Sequence, residues 1–294
     1  MREERRRACV IGWPIGHSRS PMIHGYWLRR HGIAGEYDKR AVRPEELEDF
    51  LLHLADHGLV GCNVTVPHKE AVFRIVDRVN PDGVSALARA LGAVNTVWLD
   101  AAGRLCADNT DVFGFMANFR AHVPDWQAAG KHVVIIGAGG AARAVVAGFA
   151  QDGVARITIV NRTFEKAERL TTELAGIGTA TLAAAPLPAL PALLAEADVV
   201  VNATSLGMAG QPPLGIDLSP LPDDAVVADI VYVPLKTALL QQAEERGLTA
   251  VEGLGMLLYQ AVPGFAKWFG VRPEVTPELR ALVKADIEKE QGGE

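Results

Sequence analysis

Apolar positions along the first hundred residues fall into short runs separated by stretches of helical period. Runs at residues 8–14 (ACVIGWP), 36–42 (EYDKRAV) and 58–66 (GLVGCNVTV) predict strands, and the spacing between them predicts helices over 20–31, 45–57 and 68–78. Strand–helix alternation of this kind implies βαβ units and a mostly parallel sheet. Residues 93–100 and 104–110, joined across 101–103, predict an antiparallel hairpin. Residues 131–163 then run strand, glycine turn, helix, strand, the layout of one mononucleotide-binding unit. Further strands are expected over 197–204, 225–232 and 247–253. Residues 178–196 are rich in Ala and Pro but stay apolar, so they predict a weak strand, a loop and a short helix; 254–269 and 276–289 predict two closing helices.

Composition narrows the class. A chain of 294 residues with 49% apolar content is long enough for about two domains with sizeable cores. The net charge of -6 argues against nucleic acid as a partner. The one basic cluster, Arg2 to Arg7 (REERRR), carries two glutamates and is expected to be a solvated, frayed end. No stretch approaches the ~18 apolar residues of a membrane span, and no apolar region follows the first arginines, so a cytoplasmic protein without membrane attachment is expected. Cys9, Cys62 and Cys106 are widely spaced and lack a C-x-x-C pair, which points to neither a disulfide frame nor a zinc cluster but to small core residues in or beside strands. His53 and His57 stand four apart without the glutamate of H-E-x-x-H and predict a surface helix; no metal site is expected.

The glycines after residue 136 carry the first chemical signal. Gly137, Gly139 and Ala142 follow G-x-G-x-x-G/A between an apolar strand and a helix, and with Ala138, Gly140 and Ala141 they form a Rossmann-type turn for a dinucleotide pyrophosphate. The next strand ends in Asn161, Arg162 and Thr163. That end has no carboxylate to repel a 2'-phosphate and has an arginine to pair with it, so NADP is the expected cofactor, with Asn161 and Thr163 donating hydrogen bonds. The alternative reading makes Thr163 the cap of the next helix and Arg162 a solvated loop residue.

Other polar residues gather at predicted strand ends: Ser18 and Ser20 after the first strand, then Asn63, Thr65 and Lys69, then Asn95 and Asp111. Hydroxyl, amide, ammonium and carboxylate groups together suit a small polyhydroxylated ligand. His17 and His68 flank this set and are expected to be structural. Phe265, Trp268 and Phe269 read as helix packing, while Met208 and Met256 fit either cofactor contact or core.

The order and identity of these motifs resemble the shikimate dehydrogenase family over nearly the whole chain. They are HSRSP (17–21), NVTVPHK (63–69), GAVNT (92–96), NTD (109–111), GAGGAARA (137–144), NRT (161–163), NATSLGM (202–208), DIVYVPLKT (229–237) and GLGMLLYQA (253–261). The resemblance implies NADP-dependent, reversible reduction of 3-dehydroshikimate to shikimate, the fourth step toward chorismate and the aromatic amino acids. It places the substrate carboxylate on Ser18 and Ser20 with Tyr232 nearby, and the ring hydroxyls on Thr65, Lys69, Asn95, Asp111 and Gln260. It puts Ile230 and Gly253 at the nicotinamide end of the cofactor. Lys69, oriented by Asp111, would exchange the proton of the reacting carbinol. Gly25 stands where the family pattern often has Asn, and Ala107 where it often has Gly.

Because Gln260 belongs with the substrate residues, residues 1–112 plus 253–294 are expected to form an α/β substrate domain. A Rossmann-type NADP-binding domain, 113–252, would be inserted into it, with the active site in the cleft between them. Quinate or an amino-substituted shikimate remains an alternative substrate. A ligand-sensing homologue without catalysis is a second alternative, and a homodimer is left open.

Overall fold

The computed structural model describes residues 5–292. The chain divides into two compact units: residues up to 110 together with 260–283, and residues 111–259 together with those from 284 onward.

The first unit contains β1 (Arg6–Gly12), α1 (Ser20–Arg30), β2 (Gly35–Ala41), α2 (Leu47–Leu52), β3 (Gly61–Val64), α3 (Lys69–Val79), α4 (Ala86–Leu91), β4 (Thr96–Leu99) and β5 (Leu105–Asp108). Its sheet runs in the order β2-β1-β3-β4-β5. The first three strands are parallel, whereas β4 pairs antiparallel with both β3 and β5, as the predicted hairpin requires. The chain leaves β1 for β2 on one side and returns to β3 on the other, so the winding reverses between β1 and β3. Open α/β sheets carry ligands at such a reversal, outside the carboxyl ends of the strands. The segments that emerge there are 13–20 and 65–69.

Apolar side chains explain both faces of this sheet. Cys9, Ile11, Cys62 and Val64 pack with Leu51, Leu54, Val72 and Val76 in one core. The aromatic rings of Trp27, Phe265 and Trp268 are fully buried together with His24, which makes ring contacts with all three. Packing of Phe265, Trp268 and Phe269 is thus what their spacing suggested.

Two expectations are corrected here. The helix predicted over 45–57 stops at Leu52, because the chain turns at once through 53–58 to Gly58, whose φ of +68° lies in the left-handed region. His53 and His57 therefore sit on a turn and not on a helix; His57 stacks on Phe50. The basic cluster is also not frayed where it is described: Arg6 and Arg7 are in β1, and Arg5 and Arg7 pair with Glu36 of β2. Residues 2–4 of that cluster lie outside the described residues.

The second unit contains α5 (Asp111–His122), β6 (His132–Ile136), α6 (Gly140–Asp152), β7 (Arg156–Asn161), α7 (Phe164–Glu173), β8 (Thr181–Pro186), α8 (Leu190–Leu194), β9 (Val199–Asn202), β10 (Val226–Asp229), α9 (Ala238–Glu245) and β11 (Thr249–Val251). The chain ends in α10 (Leu254–Phe269) and α11 (Pro277–Gly292). The sheet order is β11-β10-β9-β6-β7-β8, and every pair is parallel. Its inner strands are buried along their length, as the continuous apolar runs HVVII and VVVN require of a sheet covered on both faces. Here the winding reverses between β6 and β9. Helices α4, α5 and α9 were not anticipated. In α5 the buried residues Val112, Phe115, Met116 and Phe119 leave no polar stripe to mark a helical period.

Cys9 and Cys62 are buried register partners on β1 and β3, and Cys106 is half-buried in β5; all three are free thiols. Among the described residues no helix is long and apolar enough to cross a membrane.

Gly61 marks a tightly packed point of the first unit. A Cβ there would lie 2.0 Å from Trp268 Nε1 and 2.3 Å from Val97 O, the two atoms of a 2.9 Å hydrogen bond. Gly61→Ala is expected to cost about 3 kcal/mol of stability through overpacking and the displaced indole. Urea unfolding of the variant checks this, and an unchanged midpoint would contradict it.

Candidate active site

The cofactor half of the site is built on the reversal of the second sheet. Gly137 follows β6 with φ +115°, and a Cβ on it would lie 2.9 Å from Ala203 O and 2.9 Å from Thr204 Cγ2. Only glycine allows the turn to pass so close to the chain leaving β9. Gly139 caps α6 and Gly140 opens it, and a Cβ on either would meet nothing within 4 Å. The start of α6 is therefore uncrowded, and the first N–H groups of a helix have no intrahelical partner, the arrangement that receives a pyrophosphate. A cavity of about 750 Å³ lies beside it. Gly137, Ala138 and Gly139 line one wall, and Asn161, Arg162, Thr163 and Lys166 line another.

The end of β7 is free of carboxylate in its first three positions, and Arg162 and Thr163 are exposed. Asn161 Nδ2 donates to Thr163 O at 2.8 Å, which holds the loop in place. Thr163 occupies the cap position of α7, but its hydroxyl makes no capping bond. Lys166, one turn into α7, adds a second cation that the sequence reading did not single out, although its place three residues after Thr163 was visible. Asp217 also lines the cavity, with its carboxylate taken up by the Ser219 N–H at 2.8 Å and hydroxyl at 2.7 Å. Glycine cradle, open helix start and paired cations together fit a phosphorylated dinucleotide.

Two further residues of the second unit meet. A Cβ on Gly253 would lie 2.5 Å from Ile230 O and 2.6 Å from Val231 O, so Ile230 and Gly253 are in contact. Tyr232 is half-buried in the loop between β10 and α9, and Asp111 is buried as the first residue of α5. Met208 is exposed and Met256 half-buried.

In the first unit the polar residues stand at the carboxyl ends of β1 and β3. Ser18 is half-buried and its Oγ accepts the Ser20 N–H at 3.3 Å; Ser20 opens α1 with Pro21 behind it. Thr65 continues β3, donating its N–H to Ile11 O at 3.0 Å. Lys69 opens α3, and its carbonyl accepts the Val94 N–H at 3.0 Å, which ties the helix start to the loop before Asn95. His68 is buried with Nε2 2.7 Å from Val42 O, a structural anchor as expected, and His17 is exposed.

Asn95 and Gln260 are brought together. Asn95 Oδ1 accepts the Thr110 N–H at 2.7 Å and the Thr96 hydroxyl at 3.0 Å, its Nδ2 donates to Gln260 Oε1 at 3.5 Å, and the Thr110 hydroxyl donates to Gln260 O at 2.8 Å. Asn63 extends this network. Its Nδ2 faces two acceptors, Asn95 O at 3.2 Å and Thr96 Oγ1 at 3.3 Å, so its Oδ1 receives the Tyr37 hydroxyl at 2.6 Å. Burial pushes the Tyr37 phenol well above its ordinary value, against the pull of the Ser20 hydroxyl. Tyr37 was missed because nothing in the period of β2 distinguishes it from a core aromatic.

Comparison with known proteins decides the family. Residues 10–97 match the model of the shikimate dehydrogenase substrate binding domain, and residues 120–208 match that of shikimate / quinate 5-dehydrogenase. A shikimate dehydrogenase (NADP(+)) of Rhodopseudomonas palustris strain TIE-1 is 53% identical over 98% of this chain and 99% of its own. The chain belongs to the shikimate dehydrogenase family. Solved members share its fold. Shikimate 5-dehydrogenase of Thermus thermophilus, in complex with NADP(H) and shikimate, has a TM-score of 0.81 at 32% identity and covers 96% of this chain and 99% of its own. Quinate dehydrogenase of Corynebacterium glutamicum, in complex with NAD, has a TM-score of 0.86 at 30% identity with the same coverage.

In this shikimate dehydrogenase family member, helix α1 carries Ser20 into the network and His24 into the core. Neither ring nitrogen of His24 has a hydrogen-bond partner among the described residues, and the ring stacks on Tyr37 at 3.9 Å. Burial pushes its pKa down to about 3, while the Asn63 amide beside it pulls the other way by less. The imidazole is therefore neutral in the fold but titrates near its usual ~6.5 in the unfolded chain. Its contribution to stability is complete above that value and is lost as pH falls from there toward 3, at about 1.4 kcal/mol per pH unit. His24→Phe keeps a ring without the proton. Urea midpoints measured from pH 7 to pH 4 should fall less steeply for the variant than for the parent, and parallel curves would contradict the assignment.

Proposed function

We propose that this chain catalyses the NADP-dependent, reversible reduction of 3-dehydroshikimate to shikimate. The observation that carries the reading is the 53% identity with a shikimate dehydrogenase (NADP(+)) over 98% of the chain. The strand ends of both units support it. When bound, NADPH supplies the hydride. The chain's own residues hold the reactants and move the proton.

Ser18 and Ser20, at the start of α1, hold the substrate carboxylate through their hydroxyls, with Tyr232 contributing. Thr65, Asn95 and Gln260 hold the ring hydroxyls. Lys69 gives its proton to the oxygen on which charge develops during reduction and takes it back during oxidation, and Asp111 completes the proton-transfer pair. Gly137 to Ala141 hold the pyrophosphate, Asn161, Arg162 and Thr163 hold the 2'-phosphate, and Ile230 and Gly253 border the nicotinamide. The end of β7 favours this over a quinate enzyme using NAD, because cations, and no acid in its first three positions, stand where the ribose of NAD would seek a carboxylate acceptor. A cytoplasmic setting accords with the three free thiols.

Arg162→Ala should weaken NADPH about tenfold to a hundredfold, the loss of a charge-assisted hydrogen bond of roughly 1.5 to 3 kcal/mol, and leave NADH nearly unchanged. Equal losses measured by dinucleotide titration would refute the phosphate assignment. Lys69→Ala should lower kcat by about a hundredfold to ten-thousandfold with a modest change in shikimate affinity. An unaltered kcat would remove Lys69 from the chemistry.

A further inference from the structure

The carboxyl ends of β9 and β10 meet in a buried polar knot to which the proposed chemistry gives no role. Asn202 and Asp229 are register partners, each the last residue of its strand, and they are 0% and 2% exposed. Asn202 Nδ2 donates to Leu206 O at 3.0 Å and to Asp229 Oδ1 at 3.0 Å. Both partners only accept, so the amide orientation is fixed, and Asn202 Oδ1 receives the Thr204 N–H at 3.0 Å and the Thr204 hydroxyl at 2.7 Å. Thr204 Oγ1 in turn accepts the Leu206 N–H at 3.0 Å.

On the other side, Asp229 Oδ1 accepts the Val231 N–H at 2.9 Å, and Oδ2 accepts the Thr237 hydroxyl at 2.7 Å. Thr237 is the cap of α9, its Oγ1 accepting the Leu240 N–H at 3.4 Å. One carboxylate thus collects three donors from β9, from the start of the 230–237 loop and from its end. Burial nevertheless pushes its pKa up to about 6, since the three hydrogen bonds only partly offset the loss of water.

One loop held by this knot borders the cofactor cavity, and the other carries Ile230, which the reading above sets beside the nicotinamide. Thr204, Ser205 and Leu206 line the cofactor cavity, and Ala203 O sets the position of Gly137. The 230–237 loop begins with Ile230, whose carbonyl abuts Gly253. A carboxylate buried with no ionic partner among the described residues is a costly way to hold a loop, and an apolar pair would serve packing alone at least as well. What the carboxylate adds is direction: it fixes two turns at once relative to the ends of adjacent strands.

We propose that Asp229 is a positioning residue for the coenzyme, holding the 203–206 turn and the 230–237 loop in the arrangement that binds the dinucleotide. The proposal rests on the NADP reading above. Its test is NADPH binding to the purified full chain, followed by nicotinamide fluorescence at a temperature where thermal melts show each variant folded. Binding of NADPH by the parent tests the cofactor reading; the ratio of variant to parent tests Asp229. If the parent prefers NADH, the cofactor reading fails and the ratio is taken with NADH.

Asp229→Ala leaves three donors without their acceptor and should raise the dissociation constant at least tenfold. Asp229→Asn keeps the Oδ1 acceptor for Asn202 and Val231 and lets the Thr237 hydroxyl turn to accept, so binding should return to within threefold of the parent. Thr237→Val removes one of the three donors and should weaken binding at least threefold; it decides the matter if the alanine variant does not fold. Folded Asp229→Ala or Thr237→Val protein that binds the dinucleotide as the parent does, whatever its melting temperature, would reduce Asp229 to a purely structural role and overturn the proposal.

Discussion

A polar side chain buried toward the carboxyl end of a strand has to find its hydrogen bonds in the neighbouring strands and loops, because water cannot reach it. Three side chains impose this constraint here. Asn63 lies in β3, paired with Val10 of β1, while Asn202 and Asp229 close β9 and β10 side by side. Each is at most 5% exposed and each is saturated, by Tyr37, Asn95 and Thr96 in the first case and by Thr204, Leu206, Val231 and Thr237 in the other two. The loops carrying the candidate chemistry are therefore tied to the sheets by oriented bonds. A turn held by apolar contact alone can slide, whereas one holding a buried amide can shift only by orphaning a donor.

The two units use the same device at the same topological place. In each sheet the winding reverses beside one strand, β1 or β6, and a glycine at or just past the carboxyl end of that strand runs next to the chain leaving the neighbouring strand. Gly12 and Gly137 illustrate the closeness: a Cβ on Gly12 would strike Thr65 Cγ2 at 2.6 Å, and one on Gly137 would reach Ala203 O at 2.9 Å. The lining differs in chemistry. The first unit presents hydroxyls, amides and the Lys69 ammonium, while the second presents backbone N–H groups and the cations Arg162 and Lys166.

Much of this was legible from residue order because local sequence sets it. An apolar strand followed by glycines and a helix has few alternatives to the turn at Gly137, and the hairpin of β4 and β5 follows from two short runs and a tight connection. Features that depend on tertiary contacts were not legible. Helix α5 is buried nearly all round and so lacks the polar stripe that would announce it, and α2 ends early because Gly58 turns the chain. The bond between Asn202 and Asp229 joins residues 27 apart whose pairing exists only once the strand register is set. Tyr37 is hidden for the same reason, since its partner Asn63 sits 26 residues away on a strand that is not its neighbour. The assignments of Gln260, Tyr232, Ile230 and Gly253 came from family resemblance, as no local pattern marks them.

A cation-lined dinucleotide crevice and an array of hydroxyl and amide groups describe one reaction class, hydride exchange with a small hydroxylated acid. The measurement that bears on it most directly is a matrix of initial rates for shikimate and quinate, each with NADP+ and with NAD+, followed by absorbance of the reduced nicotinamide. The account predicts that kcat/KM is highest for shikimate with NADP+ and falls when either member of the pair is changed. A maximum for quinate with NAD+, or no turnover in any of the four mixtures, would contradict it.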